Sequence, residues 1–266
     1  MLNQPVGIFD SGLGGLSVMR AVSEDLPNED LLYFGDCSHA PYGDRSEAFI
    51  TERVFRIADF LIEHNAKAIV VACNTATAAS VPALRERLSI PVIGIEPAVK
   101  PAAAQTRTGT VGVMATTRTI QSERFASLLE RFGGNAARVI PIACPGLADA
   151  VEAGKGSAPE TMALLERYLD PLIKADCDKI VLGCTHYPFL ADEIASFFPE
   201  GSVELIDPSH AVARQLRRKL EENHSLASDR TVPRKEEFYI SGPTENTEKI
   251  IASLLKRPVK VLSADL

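Results

Sequence analysis

The 266-residue chain is 45% hydrophobic and 24% charged, proportions typical of globular proteins, which exclude collagen-like, disordered and low-complexity proteins. Its 28 basic and 35 acidic residues give a formal net charge of -7, so we expect no nucleic-acid partner, because phosphate neutralisation needs a basic face. The apolar runs are too short to span a bilayer and no signal-peptide pattern is present. We therefore expect no membrane partner and a cytoplasmic location.

Short β-type segments alternate with helical patterns along the chain, which predicts an α/β fold of parallel sheets covered by helices. The predicted strands cover residues 6–9, 31–34, 68–72, 91–95, 110–114, 138–142, 179–182, 203–206 and 237–240. The predicted helices cover residues 16–26, 47–64, 81–88, 121–132, 159–174 and 211–223. Segments 68–72 and 180–182 are apolar throughout, as expected of strands buried on both faces.

Two early segments resemble two later ones at nearly the same spacing. Residues 6–9 align with 111–114, and residues 69–73 align with 180–184. We therefore predict two pseudo-symmetric parallel-sheet α/β domains with the active site between them. The first comprises residues 1–97 plus 207–266 and the second residues 98–206, joined at the proline-bracketed segment 97–101.

A glycine-rich loop follows the first predicted strand and opens the first helix, with the sequence Asp-Ser-Gly-Leu-Gly-Gly at residues 10–15. Backbone N–H groups at such a helix start can hold an anionic group, although the glycines are equally compatible with a tight turn. The loop has neither the dinucleotide-binding nor the P-loop spacing. Asp10 lies at the strand end where α/β proteins bind ligands, unless it is only a cap or turn residue, as Asp36 could also be.

The five cysteines are odd in number and widely spaced, so we expect reduced thiols in a chain long enough to fold without disulfide bonds. Two of them, Cys73 and Cys184, each follow an apolar strand and precede hydrogen-bonding side chains. A buried structural thiol is the usual fate of an intracellular cysteine. We interpret the remaining three in that way: Cys37, Cys144 and Cys177.

Two thiols from two similar domains, facing one pocket, would suit a racemase. Such an enzyme removes a proton from one face of a stereocentre and returns one to the other face. An unperturbed thiol has a pKa of about 8.5, so a modest shift makes the thiolate accessible near neutrality.

Five motifs are similar to those of glutamate racemases in the cofactor-independent aspartate/glutamate racemase superfamily. They are GIFDSGLGGLSV at 7–18, YFGD at 33–36, PYG at 41–43, ACNTATA at 72–78 and LGCTHYPFL at 182–190. The resemblance implies interconversion of L- and D-glutamate without a cofactor or metal, a supply of D-glutamate for peptidoglycan, and a homodimer. The chain begins almost at its first strand, so we expect it to lack the N-terminal extension of members activated by a cell-wall precursor.

The same resemblance implies roles for individual residues. Cys73 takes the proton from D-glutamate with help from Asp10, and Cys184 takes it from L-glutamate with help from His186 and Glu152. Besides Asp10 and His186, the implied substrate-binding residues are Ser11, Tyr42, Gly43, Asn74, Thr75 and Thr185. Their hydroxyl, amide and N–H groups can bind two carboxylates. Taken alone, His186 could equally be a structural histidine and Tyr42 a packed aromatic residue.

Three alternatives stay open. Two Cys-x-His pairs, at 37–39 and 184–186, could bind zinc, although the close cysteine spacing of structural zinc sites is missing. A two-lobed amino-acid-binding protein would fit the domain pattern, but such a protein gains little from two reactive thiols. A racemase acting on aspartate or another small amino acid is the nearest alternative.

Overall fold

Every strand pair is parallel in residues 4–132 and 137–266, which the computed structural model describes. The chain divides into two units. Unit 1 comprises the described residues up to Ile95 together with Ser209–Leu266, and unit 2 comprises the described residues of Glu96–Pro208. Each unit has its own parallel sheet with helices between the strands, so the predicted α/β class is confirmed.

The strands of the described chain are β1 (Val6–Asp10), β2 (Leu31–Gly35), β3 (Ala68–Val71), β4 (Val92–Gly94), β5 (Thr110–Ala115), β6 (Arg138–Ala143), β7 (Lys179–Leu182), β8 (Glu204–Ile206), β9 (Glu236–Ile240) and β10 (Val261–Ser263). The helices are α1 (Leu16–Asp25), α2 (Glu47–Glu63), α3 (Asn74–Arg87), α4 (Val99–Gln105), α5 (Thr117–Gln121), α6 (Glu123–Phe132), α7 (Leu147–Glu152), α8 (Pro159–Lys174), α9 (Ala191–Ala195), α10 (Ser209–Glu222) and α11 (Glu245–Leu255). Short 3₁₀ turns cover Cys37–His39, Tyr42–Asp44 and Tyr187–Leu190.

Four strands of each sheet follow the same order. Unit 1 has the order β10-β9-β2-β1-β3-β4, and unit 2 has the order β6-β5-β7-β8. The registers also correspond, because Gly7 pairs with Leu32 and Ile69 on its two sides, as Gly112 pairs with residues 140 and 180. The strands that resemble each other in sequence, β1 with β5 and β3 with β7, therefore occupy equivalent positions in the two sheets. Strands β9 and β10 occur in the first sheet without an equivalent in the second.

Gly7 and Gly112 allow a helix to pack closely on the central strand of each sheet. A Cβ atom at Gly7 would lie 3.0 Å from Cδ1 of Leu61 in α2. A Cβ atom at Gly112 would lie 2.7 Å from Cδ1 of Leu172 in α8. Both strands are fully buried, as central strands with helices on both faces should be.

The prediction of a helix over 81–88 was wrong about where that helix starts. Helix α3 begins at Asn74, and Cys73 is its N-cap. Its first turns, Asn-Thr-Ala-Thr, lack the apolar periodicity that marks a helix, and Pro82 inside it suggests a break that does not occur. Helix α4 begins inside the predicted linker at Val99, and Pro101 lies in its first turn, where the missing N–H needs no partner.

An edge strand of the second sheet contains a proline, which a central strand would exclude. Strand β6 is partly exposed and contains Pro141, which an edge strand tolerates. Within the described part of the chain, no helix combines the length and apolar character needed to cross a membrane. In each sheet the carboxyl ends of all strands lie along one side, because the strands are parallel, and the predicted site residues follow those ends.

Candidate active site

Asp10 ends β1 and is fully buried beneath the glycine-rich loop. Its Oδ2 atom accepts a hydrogen bond from the backbone N–H of Gly12 at 3.1 Å. The hydroxyl of Tyr33 donates to the carbonyl of Gly12 at 2.6 Å, which holds the loop against β2. A Cβ atom at Gly15 would lie 2.6 Å from the Asp10 Cβ, so this position requires glycine. Ser11 is buried in the same loop.

Cys73 follows β3, the strand next to β1, so it leaves the same side of sheet 1 as Asp10. Its Sγ accepts a hydrogen bond from the N–H of Ala76 at 3.4 Å. The sulfur therefore lies at the N-terminus of a 14-residue helix. Free N–H groups and the helix dipole at such an end stabilise negative charge, which is the charge of a thiolate.

Asn74 and Thr75 form the first turn of α3 and are buried. Asn74 is 5% exposed, and neither its Nδ2 nor its Oδ1 has a hydrogen-bond partner among the described residues. Buried amide groups almost always have partners in folded proteins. The unpaired carboxamide beside Cys73 is therefore the strongest structural sign of a ligand-binding position.

Tyr42 and Gly43 lie in the segment that follows β2. The Tyr42 hydroxyl donates to Oδ2 of Asp36 at 2.5 Å. Burial, and then the charge of Asp36, raise the pKa of Tyr42 well above its usual value, so the phenol keeps its proton. Asp36 also binds Arg53, and neither was predicted as functional from the sequence. The sequence signal that could have indicated a role for Asp36 is its position directly after β2, which is similar to the position of Asp10 at the end of β1.

Unit 2 brings together Cys184, His186 and Glu152. The Cys184 Sγ lies 3.5 Å from Nδ1 of His186, and Nε2 of His186 lies 2.6 Å from Oε1 of Glu152. Gly183 links this group to β7, and its N–H donates to the Met114 carbonyl of β5 at 2.7 Å. A Cβ atom at Gly183 would lie 2.8 Å from that carbonyl oxygen, so a larger residue would displace the thiol.

The charge on His186 depends on its two neighbours. Burial lowers its pKa, but the contacts with Cys184 and Glu152 outweigh burial and raise the pKa well above the usual value. The ring is therefore an imidazolium near neutral pH, with one N–H directed to Glu152 and the other to the sulfur. Thr185 is buried between the cysteine and the histidine.

Tyr187 and Cys144 lie beside this group, and burial, followed by the charge of Cys184, raises the pKa of Tyr187 well above its usual value. The Tyr187 hydroxyl donates to the backbone carbonyl of Cys144 at 3.2 Å. Burial raises the pKa of the Cys144 thiol, which donates to the carbonyl of Ile142 at 3.3 Å. Burial also raises the pKa of Cys177 to about 11. Both thiols are therefore neutral near pH 7.

The structure does not support a zinc site. In residues 4–132 and 137–266, no group of three or more His, Cys, Asp or Glu side chains could hold a metal ion. The two Cys-x-His pairs make other contacts. His39 lies 2.9 Å from Oδ1 of Asp36, and His186 lies between a sulfur and a carboxylate.

Comparison with known proteins places the chain in a family. The family model of Asp/Glu/hydantoin racemases matches residues 12–216. The chain belongs to this family. The resemblance drawn from the five motifs is therefore confirmed.

Individual relatives give a consistent picture. The chain is 49% identical over 258 residues to the glutamate racemase of Ectopseudomonas mendocina (strain ymp), covering 97% of each chain. It resembles the crystal structure of Francisella tularensis glutamate racemase with D-glutamate, with a TM-score of 0.83, 31% identity and coverage of 100% and 98%. It also resembles Escherichia coli glutamate racemase in complex with L-glutamate and the activator UDP-MurNAc-ala, with a TM-score of 0.84, 34% identity and coverage of 98% and 97%.

Proposed function

We propose that this member of the racemase family interconverts L- and D-glutamate by moving protons at the α-carbon between two thiols, without a cofactor. The observation that carries the proposal is that Cys73 and Cys184 follow equivalent strands and each lies beside a group that stabilises a thiolate. Relatives with the name glutamate racemase, and structural neighbours that bind either enantiomer, support glutamate as the substrate.

In the direction from L- to D-glutamate, the Cys184 thiolate takes the α-proton and becomes a thiol. The imidazolium of His186, held by Glu152, stabilises that thiolate before the transfer. The Cys73 thiol then gives its proton to the opposite face of the carbanion and becomes a thiolate. Product release leaves the two thiols in the protonation states that the reverse reaction requires, and proton exchange with water restores the first arrangement.

The buried polar groups around each thiol are suited to hold the two carboxylates and the ammonium group of glutamate. The Asn74 carboxamide has both a donor and an acceptor to offer, since neither has a partner in the described chain. We assign Ser11, Thr75 and Thr185 to the same task, and Asp10 to the assistance of Cys73. Tyr42 differs from these, because its hydroxyl proton already points to Asp36. The product D-glutamate would serve peptidoglycan synthesis.

The test follows the conversion of L-glutamate, D-glutamate and L-aspartate by chiral chromatography in deuterated water, without added pyridoxal phosphate. We expect conversion of glutamate only, with solvent deuterium at the α-carbon of the product enantiomer. Cys73→Ala and Cys184→Ala should each lower the rate by at least about 100-fold, since each removes an acid or a base from every turnover.

Cys177→Ala is the matched control, because Cys177 is a buried thiol that precedes β7 rather than following it. It should keep near-wild-type activity. Retention of activity in either of the other two variants, or a product without solvent deuterium, would end the two-thiol proposal. Faster conversion of aspartate than of glutamate would show that aspartate, rather than glutamate, is the substrate.

A further inference from the structure

A buried polar cluster in unit 1 has no task in the proton transfer. At its centre Asp36 is fully buried at the end of β2. Arg53 of α2 binds this carboxylate through two nitrogens, with Nε 2.9 Å from Oδ2 and Nη2 2.9 Å from Oδ1. The Tyr42 hydroxyl donates to Oδ2 at 2.5 Å. Helix α2 is therefore joined through one carboxylate to a residue that we place in the glutamate-binding set.

The C-terminal part of the chain completes the cluster. Ser241, directly after β9, donates from its hydroxyl to Oδ1 of Asp36 at 2.8 Å and accepts from the N–H of Ser38 at 3.0 Å. Arg53 uses its third nitrogen, Nη1, to donate to the backbone oxygen of Leu266 at 2.6 Å. Strands β9 and β10 have no equivalent in sheet 2, so the contacts that Ser241 and Leu266 make in this cluster have no counterpart in unit 2.

The cluster is charged and fully satisfied. Burial alone would raise the pKa of Asp36, but hydrogen bonds from Arg53, Tyr42, His39 and Ser241 outweigh it and lower the pKa. The carboxylate is therefore ionised at neutral pH. Buried networks in which every group has a partner hold their members in one arrangement. Tyr42 and Cys73 also belong to the same buried apolar cluster, so a displacement of the ring would reach the surroundings of the thiol.

We propose that Asp36, Arg53 and Ser241 are positioning residues that fix the segment 37–44, which we call the substrate loop, for glutamate binding. The proposal rests on the proposed function and adds a task for the C-terminal strands. Because the phenol proton is committed to Asp36, Tyr42 acts through the position of its loop rather than as a hydroxyl donor to a substrate carboxylate. Loss of Ser241 loosens the loop without removing a group that touches glutamate.

The kinetic test compares Ser241→Ala with Ser263→Ala in the full-length protein. Ser263 is the matched control, because its exposed hydroxyl donates to the Gly242 carbonyl in the same region but does not reach Asp36. Ser241→Ala should raise KM for both enantiomers by about fivefold, the effect of one net hydrogen bond, with kcat changed by less than about twofold. Ser263→Ala should change neither. An unchanged KM, or a fall in kcat with constant KM, would overturn the proposal.

A substrate-free measurement separates this proposal from the proposed function. Amide hydrogen exchange of peptides covering 37–44 should be faster in Ser241→Ala than in wild type, and unchanged in Ser263→Ala. This readout needs no turnover, so an inactive wild-type enzyme would refute the glutamate assignment while the loop data still decide the positioning role. Equal exchange in all three proteins would overturn the positioning role whatever the activity.

A double-mutant cycle with Tyr42→Phe checks that Ser241 acts through Asp36. Tyr42→Phe removes another hydrogen bond to the carboxylate and should also raise KM. The combined variant should raise KM by less than the product of the two single effects, since both act on one network. Multiplicative effects would contradict a shared route through Asp36.

Discussion

The two units share four strands in the same order and differ at the ends of those strands. Asp10 ends β1, whereas Ala115 ends the equivalent β5. Asp36 donates its N–H to the Asp10 carbonyl, and in the same position of unit 2 Cys144 donates to the Ala115 carbonyl. Unit 1 thus has two buried carboxylates along this side of its sheet, where unit 2 has a methyl group and a neutral thiol.

The position of the thiol after the strand is common to both units, but the groups that can stabilise its charge differ. Cys73 has a helix N-terminus and a strand-end carboxylate on a neighbouring strand. Cys184 has an imidazolium whose carboxylate partner, Glu152, comes from the end of α7. Two units with the same strand order can therefore hold a thiol at the same position while different helices and side chains supply the charges around it.

The largest expected effect comes from removing the imidazolium that contacts Cys184. His186→Asn should lower kcat/KM by about 100- to 10,000-fold, the usual range for a lost acid–base group. Because the two enantiomers have equal free energies in water, kcat/KM must fall equally in both directions. Glu152→Gln should have a smaller effect, since it leaves the ring in place.

Isotope effects show which thiol the substitution affects. With His186→Asn, α-deuterated L-glutamate should show an increased primary isotope effect, because the proposed mechanism assigns removal of that proton to Cys184 and this step becomes slower. The effect on α-deuterated D-glutamate should decrease, since removal by Cys73 then limits the rate less. Equal changes from both substrates would contradict the separate roles of the two units.

The shared strands make a second prediction, which concerns stability. Gly7→Ala and Gly112→Ala place a methyl group against a leucine at equivalent positions, and each should destabilise the fold by about 1–3 kcal/mol through overpacking. Urea unfolding followed by circular dichroism measures both. A large difference between the two variants would show that the helices pack differently on the two sheets.

The smallest expected effect comes from the residues just before β3 and β7, where the units bury charges of opposite sign. Lys67 lies 2.6 Å from Glu29, whereas Asp178 accepts from the N–H of Arg107 at 2.7 Å and from Thr106 at 2.5 Å. Burial would raise the pKa of Asp178, but these hydrogen bonds outweigh it and lower the pKa to about 2.

Asp178→Asn should therefore destabilise the protein near neutral pH, by about 1–2 kcal/mol for the weakened hydrogen bonds. A carboxyl group with a lowered pKa stabilises the fold above its unfolded pKa, and this stability is lost as pH falls through the folded value. The difference between wild type and variant should shrink from about pH 4 towards pH 2. Asp170→Asn, at an exposed ion pair with Lys174, is the control and should change little at any pH. A difference that does not change with pH would refute the role of the charge.

Local sequence was sufficient for strands β1 to β9 and for the positions of the two thiols, whereas β10 was not predicted. Strands β1, β3, β5 and β7 are short apolar runs, and each thiol lies two residues beyond the last residue of β3 or β7, so neighbours in sequence are neighbours in space. The start of α3 was missed for the opposite reason. Its first turn is polar because that turn borders the site, and polar residues in a first turn resemble a loop.

The sequence by itself therefore determined the α/β class, the internal repeat and the family, since these depend on apolar periodicity and on motifs read within a few residues. Tertiary structure alone decided what surrounds Asp36, because it brought Arg53 of α2 and Ser241 of the C-terminal part of the chain to this carboxylate. The contact of Glu152 with His186, which the family resemblance had implied, also joins two separate elements. Such partners come from separate elements, and only the packing of those elements brings their side chains within hydrogen-bonding distance.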